Sequence, residues 1–252
     1  MSTPATPTAR RAHFHETLGV VFFFILCALL VVRVVQAAAP ATFVALAVSA
    51  VVGFVAADLV SGVVHWLFDT WFSKTTPVLG PTFVTPFRVH HEDPLDITRH
   101  GFVATNGHNC LASVPVLALT LLLPTGPEAP LASALLTFVL SLSLGIFGTN
   151  QFHKWAHEER VSPVIGWLQA RGLILNREHH DVHHTMPYAR HYCITTGWLN
   201  RPLEAIGFFR GLERLITAVT GQQPRVDDLH LDPTPVPSAI EQAPAAELER
   251  VA

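Results

Sequence analysis

Apolar residues run almost unbroken through four stretches of this chain. The first, residues 18–39, is interrupted only by Arg33 and Gln36, and the second, 41–68, holds Asp58 and His65 as its only ionisable groups. Two further stretches, 110–123 and 131–152, are separated by the breaker-rich string 124–130 and read as a hairpin through a membrane. A helix needs roughly 20 apolar residues to cross a bilayer. The pattern therefore predicts an all-α integral membrane protein with about four transmembrane helices. The first stretch is read as a retained span rather than a signal peptide, because more apolar sequence follows at once and no soluble domain does.

After residue 152 the pattern changes. Segments 163–175 and 202–219 mix aromatic and aliphatic residues with Arg and Glu at helical spacing, as helices at a membrane surface or over a cytoplasmic core would. The predicted architecture is a bundle of spans with a cytoplasmic helical cap. Residues 1–14 and 222–252 are rich in Pro, Ala and Thr or in acidic residues, have few large apolar groups, and are expected to be disordered. The folded part is then 15–221.

Composition agrees: half of the 252 residues are hydrophobic and only 14% are charged. Fifteen of the sixteen Lys and Arg residues fall in the N-terminal tail, in 69–109 or after 152, and the short turns between spans carry none. By the positive-inside tendency that side is cytoplasmic, which places both termini there; a bacterial inner membrane is the expected location. The sixteenth, Arg33, is expected to snorkel to the opposite headgroups. Cys27, Cys110 and Cys193 have no pairing logic and read as reduced thiols. A net charge of −3 with scattered basic residues argues against a nucleic-acid partner.

The chemistry lies in the histidines. Twelve of fifteen stand between His65 and His191. Neutral imidazole is the commonest protein metal ligand, and one ion rarely takes more than about four protein ligands, as structural zinc sites show. So many clustered histidines suggest two ions. His179-His180-Asp181-Val182-His183-His184 is the most specific element: it contains i,i+4 pairs, and the adjacent His183 and His184 diverge by about 100° on a helix. His153 and His157 form another i,i+4 pair, on a stripe with Asn150. That pair could alone be an ordinary polar helix end, and the 179–184 run a solvated histidine run. Asp58, His65 and Asp69 share one face of the second stretch, where ionisable residues are costly unless they face protein. His65 beside Trp66 and Trp71 could equally mark a membrane interface. His90 and His91, between prolines, become plausible ligands once the other pairs exist, and His100 could be a ligand or a supporting donor. His108 and His191 are doubtful, and His13, His15 and His230 read as solvated. Asp58, Asp69 and Asn150 are expected to support the site from behind the ligands, orienting imidazoles or a water. The scarcity of acidic residues argues against a carboxylate-bridged di-iron bundle.

These strings resemble a known family. Asp58-Leu-Val-Ser-Gly-Val-Val-His-Trp-Leu-Phe-Asp-Thr-Trp71, Phe87-Arg-Val-His-His-Glu-Asp-Pro94, Ile97-Thr-Arg-His-Gly-Phe102, Thr105-Asn-Gly-His-Asn-Cys110, Asn150-Gln-Phe-His-Lys-Trp-Ala-His157 and Tyr192-Cys-Ile-Thr-Thr-Gly-Trp-Leu-Asn200 are similar to motifs of the lipid desaturase family, in register over about residues 50–210. The resemblance implies an iron-dependent, oxygen-consuming membrane enzyme with two non-haem irons. It implies as ligands His65, His90, His91, His100, His153, His157, His180, His183 and His184, with His179 beside them. It also implies dioxygen as co-substrate and an external electron donor, either ferredoxin-like or a small haem protein.

The substrate implied is a membrane phospholipid, and in the family's ether-lipid branch the product is the vinyl ether of a plasmalogen. An intact two-tailed lipid cannot leave the bilayer cheaply, since each exposed methylene costs about 0.8 kcal/mol. The pocket is therefore expected to open sideways between spans, with Arg88, Arg99 and Lys154 near the head group. Zinc could occupy the site as a non-native metal, because affinity alone does not select iron over zinc. Three readings stand beside this one: desaturation of a phospholipid acyl chain, lipid hydroxylation, and, more distantly, a His-rich membrane metal transporter.

Overall fold

The computed structural model describes residues 12–224, and no strand occurs among them. The expected disordered tails lie outside the described residues except at their inner edges, where the first helix already begins at Phe14. In chain order the elements are α1 (Phe14–Ala37), α2 (Phe43–Thr70), a π-helical turn (Gly80–Val84), α3 (Thr85–Glu92), α4 (Asp96–Arg99), α5 (Phe102–Thr120) and α6 (Pro130–His157). Then follow α7 (Pro163–Ala170), α8 (Arg177–Asp181), α9 (Asn200–Ala205) and α10 (Phe208–Thr220).

By length and composition, α1, α2 and α6 can cross a membrane. α5 does not meet that measure. Its 19 residues span about 28 Å at 1.5 Å per residue, but its first half carries Asn106, His108 and Asn109, and it begins eight residues before the apolar stretch expected at 110.

α6 is the centre of the bundle, packed on α2, α5 and α1, while α1 lies along α5. Small residues let the backbones approach: a methyl added at Gly145 of α6 would fall on the Ala57 Cβ of α2. Ser141 Oγ donates to the Ala50 carbonyl across the same seam at 2.5 Å. Phe23, Cys27, Leu30, Cys110, Leu117, Leu136 and Leu140 fill the interior. Val21, Phe22, Ile25, Leu29 and Val32 point outward from α1 and are exposed, which suits a lipid solvent.

Arg33 differs from expectation. Its guanidinium donates to the Leu121 and Leu123 carbonyls and to Thr125 Oγ1. Helix C-termini leave carbonyls without partners and carry partial negative charge, so Arg33 closes the end of α5 instead of reaching for headgroups.

The predicted segment 202–219 is two helices, broken at Gly207 with φ 63°. On α10, Phe209, Leu212 and Ile216 pack on the buried Trp66, Trp71 and Tyr192, and Glu213 accepts from Trp66 Nε1 at 3.2 Å. α10 is thus seated on the end of α2 that carries His65.

Candidate metal centre

Four elements bring their histidines to this end of the bundle. On α2, His65 and Asp69 stand one turn apart with Nε2 and Oδ2 3.2 Å from each other. His65 Nδ1 lies 3.1 Å from the Tyr192 carbonyl. A carbonyl only accepts, so Nδ1 carries the proton and Nε2 presents its lone pair inward.

α3 is fixed by Arg88, which is fully buried. Its guanidinium donates to the carbonyls of Phe68, Trp71 and Phe72 at 3.0, 2.7 and 3.1 Å. It closes the C-terminus of α2 and sets α3 against it, so that His90 and His91, about 100° apart on the helix, face different neighbours. α6 supplies His153 and His157, and Arg177 donates to the His157 carbonyl at 3.0 Å. Asn176 caps α8 by accepting from the His179 amide at 2.8 Å, which starts the turn that carries His180, His183 and His184.

The result is two adjoining groups of donors. One comprises His90, His153, His157, His180 and His184; the other comprises His65, Asp69, His91 and His183, and within each group one donor atom per residue lies within 4.8 Å of all the rest. The groups adjoin, with the His91 and His184 rings 5.4 Å apart. Ring nitrogens face one another in three places: His91 Nε2 to His183 Nε2 at 3.0 Å, His153 Nε2 to His157 Nε2 at 3.2 Å, and His180 Nε2 to His184 Nε2 at 3.0 Å.

His183 has its Nδ1 2.8 Å from the Arg190 carbonyl, so its Nε2 also offers a lone pair. Burial, reinforced by neighbouring imidazoles, pushes His90, His180 and His183 well below the usual histidine range and His184 down to about 3. At neutral pH these rings are uncharged. Neutral imidazoles offer ring nitrogens to a metal ion, and the buried His65 Nε2 and His90 Nε2 have no hydrogen-bond partner. The donor set fits two bound metal ions.

Not every candidate joins these groups. His100 Nε2 lies 3.2 Å from Asp96, and its carbonyl accepts from Lys154 Nζ at 2.6 Å. His179 stacks on His191 at 4.4 Å and accepts from Asn200 Nδ2 at 2.9 Å. Asp58 touches no metal-group imidazole: its Oδ1 accepts the amides of Thr195, Thr196 and Gly197, and its Oδ2 that of Leu199. It holds the loop whose Tyr192 carbonyl orients His65. Asn150 donates to the Thr105 carbonyl at 2.9 Å and ties α6 to α5.

The head-group assignment of Arg88 is corrected: a buried guanidinium spent on three carbonyls cannot meet a lipid phosphate. Arg99 is held by Asp93 and Asp96 at 2.5 and 2.9 Å. His108 pairs with Glu16 at 3.2 Å, away from both groups.

The chain's two tyrosines were given no role in the site from sequence. Tyr188 stacks on His91 at 4.5 Å, and Tyr192 lies 5.4 Å from His183 and 6.1 Å from His65. Their place just after the last histidine cluster was the available signal. Phe87 covers the other side of His65 at 5.3 Å.

An apolar cavity of about 510 Å³ opens beside α6, walled by Phe54, Phe102, Phe147, Phe152 and Trp155 with Gln151 as a polar member. Gln151 and Trp155 lie roughly opposite His153 on the helix at 100° per residue. The cavity therefore lies on the face of α6 turned away from the metal groups.

The model of the lipid desaturase domain matches residues 54–227, and the chain belongs to that family. Over 178 residues it is 49% identical to plasmanylethanolamine desaturase of Myxococcus xanthus, covering 70% of this chain and 62% of that protein. Over 183 residues it is 46% identical to plasmanylethanolamine desaturase 1 of Mus musculus, covering 71% and 68%. Fatty acid desaturase 4, chloroplastic, of Arabidopsis thaliana is 36% identical over 176 residues, covering 69% and 52%. The matched stretch thus spans about three fifths to two thirds of the first two relatives. No solved structure matches.

Proposed function

We propose that this chain is an oxygen-dependent di-iron desaturase that converts the alkyl ether chain of a plasmanylethanolamine into the vinyl ether of a plasmalogen. The observation that carries the reading is the pair of adjoining imidazole-rich groups at one end of a membrane bundle. The relatives named plasmanylethanolamine desaturase, at 49% and 46% identity, supply the substrate. His90, His153, His157, His180 and His184 would hold one ion and His65, His91 and His183 the other. Iron bound there would supply the oxygen-derived oxidant for removing two hydrogens from adjacent carbons, with electrons from an external donor; zinc, lacking redox chemistry, could not.

The chain's own residues hold the site and keep it dry. Tyr192 and Arg190 fix imidazole tautomers through their carbonyls, Arg88 and Asp58 lock the segments that carry ligands, and Phe87, Tyr188 and Tyr192 exclude water from the second group. In this reading α5 is the fourth span, α7 to α10 form a cytoplasmic cap, and both ends of the described chain face the cytoplasm of a bacterial inner membrane. A second reading, acyl-chain desaturation in a phospholipid, is favoured by the 36% identity to a protein named fatty acid desaturase 4.

The test gives the purified full chain iron, a reductant and oxygen, with either plasmanyl or diacyl ethanolamine lipid, and follows products by mass spectrometry. Vinyl ether from the plasmanyl lipid is the expected product. Conversion of only the diacyl lipid would establish the second reading instead.

A further inference from the structure

The two donor groups are unequal, and Asp69 makes the difference. Sequence spacing placed it behind His65, orienting the ring. The structure puts Oδ2 level with the ring nitrogens instead, 3.2 Å from His65 Nε2, 3.5 Å from His183 Nε2 and 3.7 Å from His91 Nε2. With Nδ1 of His65 and of His183 committed to carbonyls, both Nε2 atoms present lone pairs toward an anionic oxygen. Asp69 Oδ2 and the Nε2 atoms of His65, His91 and His183 thus form one buried set of donors close enough together to share a single ion.

We propose that Asp69 is itself a ligand, giving the chain one five-imidazole site and one three-imidazole, one-carboxylate site. This rests on the di-iron reading above and adds to it an asymmetry between the ions. The carboxylate brings a negative charge and a hard oxygen donor to one ion only, which favours the higher oxidation state there. That ion has four protein donors against five for its neighbour, so it keeps more positions for ligands from outside the protein. Mixed histidine and carboxylate sets with open positions are how non-haem iron(II) takes up oxygen in other folds. The five-imidazole site is closer to saturation.

The test loads the full chain with ⁵⁷Fe and records iron per folded chain and the Mössbauer spectrum, with azide as a probe of open positions. Wild type is expected to hold two irons with two distinct quadrupole doublets, of which azide shifts one. Asp69→Asn should lose the azide-sensitive doublet or displace its parameters, whereas His157→Ala should affect the other. Retention of both doublets unchanged in Asp69→Asn, or an azide shift confined to the doublet that His157→Ala removes, would overturn the proposal. If Asp69→Asn does not fold, Asp69→His decides, because it replaces one donor by another: one altered doublet supports the assignment and an unaltered spectrum refutes it. The functional reading fails separately. Wild type with two doublets that converts no plasmanyl lipid would lose the substrate assignment and keep the unequal sites, while wild type holding fewer than two irons would lose both.

Discussion

Arg88 donates from Nη2 to the Trp71 carbonyl at 2.7 Å, joining the helix that carries Asp69 to the helix that carries His90 and His91. With its bonds to Phe68 and Phe72, it fixes the relative position of donors that lie some twenty residues apart in sequence. Hydrogen bonds from a charged donor contribute about 1.5–3 kcal/mol each, and leaving buried carbonyls unsatisfied costs about 1–3 kcal/mol. Arg88→Met is therefore expected to lower the melting temperature and the iron content together. Arg88→Lys, with a single ammonium for three carbonyls, should recover part of the loss. Thermal unfolding in detergent with elemental analysis on the same samples checks both.

The histidines should separate into two classes by metal content. His100→Ala and His179→Ala change rings outside both donor groups and are expected to keep two irons per chain. His153→Ala and His184→Ala should lose at least one. Iron quantification on the purified folded variants reads this directly, and loss of iron from His100→Ala would place that residue among the ligands.

Asp58 acts on the site through a loop. It accepts four backbone amides between Thr195 and Leu199, and the same loop supplies the Tyr192 carbonyl to His65. Losing a partner that orients a ligand typically costs about 10- to 100-fold in metal affinity or activity. Asp58→Ala is expected to weaken iron binding within that range and to expose the loop at 192–199 to protease, while His90 and the five-imidazole group keep their ion. Iron titration with limited proteolysis measures both effects.

The α2–α6 seam sets the distance between His65 and His153. Because a methyl at Gly145 would already overlap Ala57, Gly145→Val is expected to push the helices apart at a cost of about 1–3 kcal/mol, typical of overpacking. The measurable result is a lower melting temperature in iron-free protein, where metal binding cannot mask the change.

Much of this was legible in sequence. The apolar runs gave α1, α2 and α6, and the i,i+4 pairs His153/His157 and His180/His184 do converge as helix geometry requires. The adjacent His183 and His184 do divide between the two groups as expected, and His90 and His91, read only as a segment between prolines, divide likewise because α3 turns them about 100° apart. What escaped depends on contacts between distant segments. The spacing of Asp69 put it on the face of His65, but only the arrival of α3 and of the turn carrying His183 brings its oxygen among three nitrogens. Arg88 reads as a surface cation until the carbonyls at the end of α2 are seen around it. His100 and His179 share the composition of the ligands without their placement: α4 is one turn tied to its own aspartates, and the His179 ring turns toward Asn200.

The most direct test of the central claim is X-ray absorption at the iron edge, with elemental analysis, on the full chain purified with iron. Two irons per folded chain, a first shell dominated by nitrogen and an iron–iron scattering contribution are expected. One iron or none per chain, or a first shell dominated by oxygen, would contradict it.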